Sequence, residues 1–308
     1  MNLPRISVIV RAHNPNEWIF EAINSIIDQE YQGEIEIIVC YDRASKTDEI
    51  LYKLKQLSTQ FMINRSMKII VHEHTSPTRA LFEHGFREAT GDYILVLDYD
   101  NKMPKDYISR IISFALENDF IFTNPMLIDE AGNVLGFRAH ERIPRSINVI
   151  SLAKGNVCDM NGIVLSRRAM NTLLKYYDDY LKNLRITDLV HEDYFIAMIC
   201  SKLLGAKYVD SIYTFYRVHK AQQTYLIEFN IDKVCQILLR DIVTLYTVLR
   251  VLGSKLSFFE RIYITAMMFK RLLYVIYLML GLTRTLLSAA LSFISSFIGY
   301  LKMLIRSR

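Results

Sequence analysis

Two phosphate-binding signatures are missing from this chain of 308 residues. No glycine triplet follows its first apolar run, which excludes a dinucleotide fingerprint. No glycine-rich loop ends in Lys-Ser or Lys-Thr, which excludes a P-loop. Any phosphate bound here needs another counter-charge, and a divalent cation held by aspartate is the available one. Cysteine is scarce: Cys40, Cys158, Cys200 and Cys235 are scattered, without the paired spacing of a metal site. That usage fits a reducing compartment and ordinary buried thiols. The opening MNLPRISVIV is far too short for a signal-peptide core, so no leader is expected. Acids are thin at the far end. Beyond Asn230, eleven Lys or Arg stand against three acids, a balance of +8, so the formal net charge of +5 hides −3 in the first 230 residues.

What is present is organised around GDYILVLDYDNKMPKD, Gly91 to Asp106. A glycine turn leads into the apolar run Tyr93 to Leu97, the pattern of a strand buried on both faces of a parallel sheet. Asp98 and Asp100 follow at once, and Pro104 ends any ladder. Carboxylates at that place stand where open α/β folds hold ligands. Two readings stay open from the pattern alone: a metal site, or a polar turn built by Asp98, Asp100 and Asn101.

The rest of the first half alternates strand and helix. Strands are expected at Ile6 to Val10, Glu34 to Cys40 and Lys68 to His72, with helices at Trp18 to Gln29, Asp48 to Leu57 and Arg79 to Thr90. That order specifies a wound, mainly parallel α/β sheet with flanking helices. Asp42 and Asp98 both lie just past strand ends, so the fold would bring them to one rim.

In their order and spacing, several stretches resemble glycosyltransferase family 2. They are ISVIVRAHN, EIIVCYDRASKTDEI, EATGDYILVLDYDNKMPKDY, NGIVLSRRAM, HEDYFIAMICSKLLGAKY and YTFYRVH, and they cover about residues 5–220. The resemblance implies a GT-A fold and inverting transfer from a nucleotide-sugar, of UDP or GDP type, to a hydroxyl. It implies that Asp42 accepts hydrogen bonds from the base, with Arg11 and His13 lining the same pocket. Asp98 would reach the ribose or sugar, and Asp100 would bind Mn²⁺ or Mg²⁺ on the diphosphate. Asp193 would be the base that deprotonates the acceptor, with Asn161, Gly162 and Glu192 on the acceptor side. His219 would be a further metal ligand or phosphate contact.

Plain physical readings stand beside these. Asp193 follows His191-Glu192 at a helix start, where acids favour the macrodipole. His219 also fits a structural residue near a strand end, and Arg79 would either clamp phosphate or pair with a neighbouring acid. The chain departs from the family pattern at Arg11, His13, Tyr41 and Phe82, and in HTSPTRAL. A non-catalytic nucleotide-sugar-binding protein of the same fold is the alternative function. A nucleotidyltransferase lacks its basic, glycine-rich first loop here.

Composition changes after Tyr225, so residues 1–225 are read as the catalytic domain and 226–308 as membrane-associated helices. Ile231 to Leu252 is expected as a helix with a narrow polar stripe at positions 233, 236, 240, 244 and 247, stopped by Gly253. Ser257 and Glu260 form a capping box for the next helix, which runs to Leu280. From Leu272 the remaining apolar run is too short for a bilayer core of ~30 Å. Thr285 to Leu301 has an apolar face opposite a Ser stripe between basic flanks. It suits a helix lying in the interface of the cytoplasmic leaflet, with a single span as the rival. A basic tail this apolar points to anionic lipid and not to nucleic acid. A lipid-linked or surface-glycan acceptor is the matching expectation.

Overall fold

The computed structural model describes residues 3–42, 48–60, 64–73, 76–138, 143–144, 146–184, 187–220 and 231–280. The first half alternates β1 Ile6–Ala12, α1 Trp18–Ile27, β2 Ile35–Asp42, α2 Asp48–Leu57 and β3 Arg65–His72. Next come α3 Pro77–Arg79, which runs on as a π-helix over Ala80–Phe86, then β4 Tyr93–Asp98 and α4 Tyr107–Ala115. The second half holds β5 Phe120–Thr123, β6 Met126–Ile128, β7 Val134–Phe137, α5 Val149–Ala153, the 3-10 turn Met160–Gly162 and β8 Ile163–Ser166. It continues through α6 Arg167–Tyr176, α7 Glu192–Leu203, β9 Lys207–Val209, β10 Phe215–Arg217, α8 Ile231–Leu252 and α9 Phe258–Leu280.

Seven strands form the main sheet in the order β3-β2-β1-β4-β8-β5-β9. All neighbours are parallel except β8, which is antiparallel to both β4 and β5. The α/β class is therefore as expected, and the sheet is mixed rather than uniform. A second sheet, β10-β6-β7, was not expected; its strands are three or four residues long, too short to show a period. Helix was expected from Arg79 to Thr90, whereas a π-helix occupies Ala80–Phe86. Its wider turn directs Ala80, Leu81, Phe82, Gly85 and Phe86 all into the core.

The sheet is buried on both faces. Ile6, Val8 and Val10 of β1 join α1, α2 and α4 in one apolar cluster. Ile9 faces the other way, into a cluster with Phe82, α6 and α7. Leu245, Val248, Val251 and Leu252 of α8, with Tyr263, Ile264, Ala266 and Met267 of α9, belong to that same second cluster. Gly253 ends α8 with a φ of +40°. The Ser257 amide donates to Glu260 Oε2 at 2.7 Å and the Glu260 amide donates to Ser257 Oγ at 3.3 Å, the capping box read from sequence.

The polar stripe of α8 is divided: Gln236 is exposed, whereas its C-terminal end turns inward. Thr244 and Thr247 are fully enclosed, while Ile231, Leu239 and Tyr246 are exposed. The Thr hydroxyls donate to carbonyls one turn back, Arg240 and Val243, both at 2.8 Å, which satisfies them inside the core. Residues 285–301, read as an interfacial helix, lie outside the described residues, as does the boundary at 225/226.

At the N-terminal edge of the sheet, Glu36 is a buried carboxylate that accepts from the Ser7 hydroxyl, the Thr90 amide and the Gly91 amide, the last at 3.1 Å. Burial works against its charge, but these donors outweigh that and hold the carboxyl below its ordinary value. A Cβ on Gly91 would lie 2.5 Å from the Ser7 amide nitrogen, so the approach requires glycine. Gly91→Ala is expected to cost about 1–3 kcal/mol, read as a lower urea midpoint with unchanged slope. A wild-type midpoint would show that the strands shift to make room.

Candidate active site

From β1 the chain winds outward to β2 and β3 and then crosses back to the other side of β1 as β4, and open α/β sheets bind ligands at such a reversal, beyond the carboxyl ends of the strands. The residues expected there do gather. Arg11 and Asp98 are direct partners in the β1–β4 register, and Asp42 ends the neighbouring β2. His13 Nδ1 lies 2.6 Å from Asp42 Oδ2, so the carboxylate and the imidazole form one unit at the rim.

Arg11 reaches in two directions. Its Nε donates to Asp98 Oδ1 at 2.7 Å and its NH2 is 2.6 Å from the same oxygen. Its NH1 donates to Glu192 Oε1 at the first residue of α7. The other oxygen of Asp98 accepts from Asn161 Nδ2 at 3.0 Å, and Asn161 Oδ1 accepts the Asp98 amide at 2.7 Å. Asn161 Nδ2 also donates to Asp159 Oδ1 at 2.9 Å, and Asp159 pairs with Arg138. Thus β1, β4, the Met160–Gly162 turn, α7 and the end of β7 are tied by one polar chain.

The ionisation states follow from that chain. Burial disfavours charge on Arg11, but Asp98 and Glu192 outweigh it and raise the guanidinium further. Burial pushes the Asp98 carboxyl up against the pull of Arg11, and Asp100 adds to the rise. Burial opposes the charge of Glu192 too, yet Arg11 prevails and holds that carboxyl down.

A second cluster joins the two sheets. His219 Nε2 is 2.9 Å from Asp100 Oδ2, both residues buried, and the His219 ring packs on Trp18 at 4.9 Å between centroids. Arg217 is almost fully enclosed beneath them. It donates through Nε to the Asp100 carbonyl at 3.0 Å and through NH2 to Glu21 Oε2 at 2.7 Å, with its guanidinium over the Trp18 ring. Its amide donates to Asn101 Oδ1 at 2.8 Å, which fixes the Asp100-Asn101 turn from β10.

A carboxylate at a strand end suits Mn²⁺ or Mg²⁺ when diphosphate oxygens complete the shell, and an imidazole beside it offers a nitrogen ligand that Mn²⁺ accepts more readily than the harder Mg²⁺. The donor set of Asp100 and His219 therefore fits such an ion in the presence of substrate. Among the described residues, no group of three His, Cys, Asp or Glu could hold a metal by itself.

Asp193 is the second residue of α7, beside Glu192. Its hydrogen bond among the described residues is from the Tyr194 amide to Oδ1, at 2.6 Å. Burial, then the charge of Glu192, pushes its carboxyl above the ordinary range, while His191 and Arg138 oppose the rise. A carboxyl raised in this way holds a proton more readily than an ordinary aspartate.

Arg79, on α3 just beyond the end of β3, is engaged by its neighbours. Its Nε donates to Asp188 Oδ1 at 2.9 Å, its NH1 donates to the Lys182 carbonyl at 3.1 Å, and Glu83 is near, so it takes the ion-pair role left open above. Gly162 supplies space: a Cβ there would stand 2.6 Å from the Thr123 carbonyl oxygen. Asn161 anchors Asp98 directly. Arg138, Asp159 and Arg217 were not foreseen, although Asp159 and Arg217 stand two residues before Asn161 and His219.

The profile described as Glycosyl transferase family 2 matches residues 7–174, more than half of the chain. A glycosyltransferase of Haemophilus influenzae, itself uncharacterized, is 26% identical over 204 residues, 66% of this chain and 74% of that protein. WfaP of Escherichia coli, a UDP-Glc:alpha-D-GlcNAc-diphosphoundecaprenol beta-1,3-glucosyltransferase, is 25% identical over 216 residues, 70% of this chain and 77% of its own length. Among solved structures, the mannosyltransferase PcManGT from Pyrobaculum calidifontis, in complex with GDP-Man and Mn²⁺, matches with a TM-score of 0.57 at 13% identity. That likeness covers 98% of this chain and 85% of the other, and shows the fold.

The raised Asp193 carboxyl has a stability consequence. Its neutral form is favoured in the fold, so ionising it costs stability. That cost is absent below about pH 4, grows as pH rises from the ordinary carboxylate value toward the folded one, and is complete above it. Asp193→Asn removes the cost. Thermal midpoints measured from pH 4 to 8 are expected to show the variant more stable than wild type at neutral pH, with the gain vanishing at the acid end.

Proposed function

The chain belongs to glycosyltransferase family 2, and from that membership we propose an inverting, metal-dependent enzyme that moves a sugar from a UDP- or GDP-type nucleotide-sugar to a hydroxyl. We place that hydroxyl on a lipid-linked or surface glycan. The observation that carries the reading is the Arg11 bridge, which sets the head of α7, with Asp193, against Asp98 at the end of β4.

In this reading Asp42, oriented by His13, accepts from the base of the nucleotide, and Asp98, held by Arg11 and Asn161, accepts from the ribose or sugar hydroxyls. Asp100 and His219 hold Mn²⁺ or Mg²⁺, which when bound neutralises the diphosphate leaving group. Asp193 takes the proton of the acceptor hydroxyl as that oxygen attacks the anomeric carbon from the side opposite the diphosphate. With so good a leaving group a single base is enough. The WfaP similarity supports a lipid-diphosphate acceptor and a UDP-type donor, and the PcManGT complex supports a manganese-dependent GDP-type one.

Asp193→Asn is expected to lower transfer by about two to four orders of magnitude, while thermal shifts with UDP-glucose or GDP-mannose in Mn²⁺ stay as in wild type. EDTA is expected to stop the wild-type enzyme, with Mn²⁺ or Mg²⁺ restoring it. Full turnover by the variant would remove Asp193 from the reaction. Nucleotide binding without release of diphosphate would favour a binding protein of this fold.

We also propose that the protein works on the cytoplasmic face of a membrane, with residues 226–308 as its attachment region. Phe258–Met279 has a mean hydropathy of 1.5 with a third of the window buried. Phe269, Leu272, Ile276 and Met279 form an exposed stripe at helical spacing beside Lys270. Tyr263, Ile264 and Met267 face the catalytic core instead, which favours a helix lying along the surface over one crossing it. Paired Phe269→Glu and Met279→Glu substitutions are expected to release the full chain from sedimenting vesicles of anionic phospholipid. Retention equal to wild type would place the contact elsewhere.

A further inference from the structure

The residue before the Glu192-Asp193 pair is fastened to the C-terminal helices. The His191 amide donates to Thr244 Oγ at 2.9 Å, and its Nδ1 lies 3.1 Å from Asp241 Oδ1, both on α8. The second oxygen of Asp241 accepts from Arg271 Nε of α9 at 3.2 Å, and Arg271 NH1 donates to the Ala153 carbonyl of α5 at 3.0 Å. Arg240 NH2 donates to the Val190 carbonyl at 3.4 Å. Arg271 is buried, and Thr244 has no exposed surface.

This anchorage replaces an ordinary helix cap. His191 stands at the N-cap of α7 with its ring turned away, making no side-chain bond to the helix. The Tyr194 amide is instead taken by Asp193 itself. The first turn of α7 therefore depends on α8 for its position. A displacement of about 1 Å in a reacting group costs on the order of a hundredfold in rate.

We propose that Asp241 and Thr244 are positioning residues for sugar transfer: they fix His191, and through it aim Asp193 at the acceptor hydroxyl. Helices α8 and α9 are then part of the catalytic apparatus as well as the attachment region. The proposal rests on Asp193 being the base.

The test uses the full chain, with UDP release from UDP-glucose and GDP release from GDP-mannose in Mn²⁺, and hydrogen exchange over residues 190–196. Asp241→Asn and Thr244→Val are expected to lower kcat about 10- to 100-fold with donor KM within about twofold, and to speed exchange in that segment. Thr247→Val is the matched control, because its hydroxyl bonds only within α8, to the Val243 carbonyl at 2.8 Å, and it is expected to match wild type in every readout.

Wild-type kcat and exchange in both folded variants would overturn the proposal. So would loss of the fold in both, since the contacts would then serve stability alone. Asp193→Asn run alongside separates the two levels: if it keeps turnover, the assignment of the base fails. A wild-type chain that releases neither nucleotide counts against the transferase reading, and the exchange measurement still decides whether α8 fixes this segment.

Discussion

One guanidinium sets the geometry of this protein's active end. Arg11 emerges from the central strand and stands between Asp98 of β4 and Glu192 of α7. Without it, two partly buried carboxylates would lose their shared counter-charge, and removing one partner of such a pair costs about 3–5 kcal/mol. The cation does more than balance charge. Its planar fork fixes distance and direction on both sides, so the end of β4 and the head of α7 are held together as one body. Asn161 then closes Asp98 from the other side with two hydrogen bonds.

The opposite edge of the sheet shows what a purely structural carboxylate looks like. Glu36 is buried, surrounded by donors, and held below its ordinary value. Asp193 is treated in the reverse way: it is half-buried, set beside another acid, and given one backbone donor. An acid fully satisfied by hydrogen bonds stabilises a fold but has no proton affinity to offer at neutral pH. An acid left wanting costs stability and gains basicity. Glu36 and Asp193 therefore carry opposite electrostatic designs, and the residue proposed as the base is the one whose charge costs stability.

Much of this was legible before any coordinates. The long apolar runs declared β1, β2 and β4, and caps and a stop glycine marked the ends of α8 and the start of α9. The acids at the strand ends, Asp42, Asp98 and Asp100, meet at one rim because parallel order leaves them no other edge. What escaped was non-local. The strands of the second sheet are too short to show a period, and Arg217 matters only because β10 returns beside Asn101 and Asp100. Arg79 read equally as a phosphate clamp or an ion-pair partner, and only the fold brings Asp188 within 2.9 Å of it.

Helix α8 adds a case the sequence left open. Its polar positions at 233, 236, 240, 244 and 247 marked a narrow stripe without saying which side it faces. Gln236 is exposed, but the C-terminal end of the stripe turns inward, where Thr244, with Asp241 beside it, meets His191 and the helix backbone accepts from the threonine hydroxyls. Turning those groups to the core forces Ile231, Leu239 and Tyr246 outward. Exposed apolar area carries a cost of roughly 25 cal/mol per Å² relative to burial, which the residues that α8 and α9 bury on their inner side offset. The inward turn of α8 thus anchors the head of α7, whereas the surface that the proposed membrane contact covers lies on α9, at Phe269, Leu272, Ile276 and Met279.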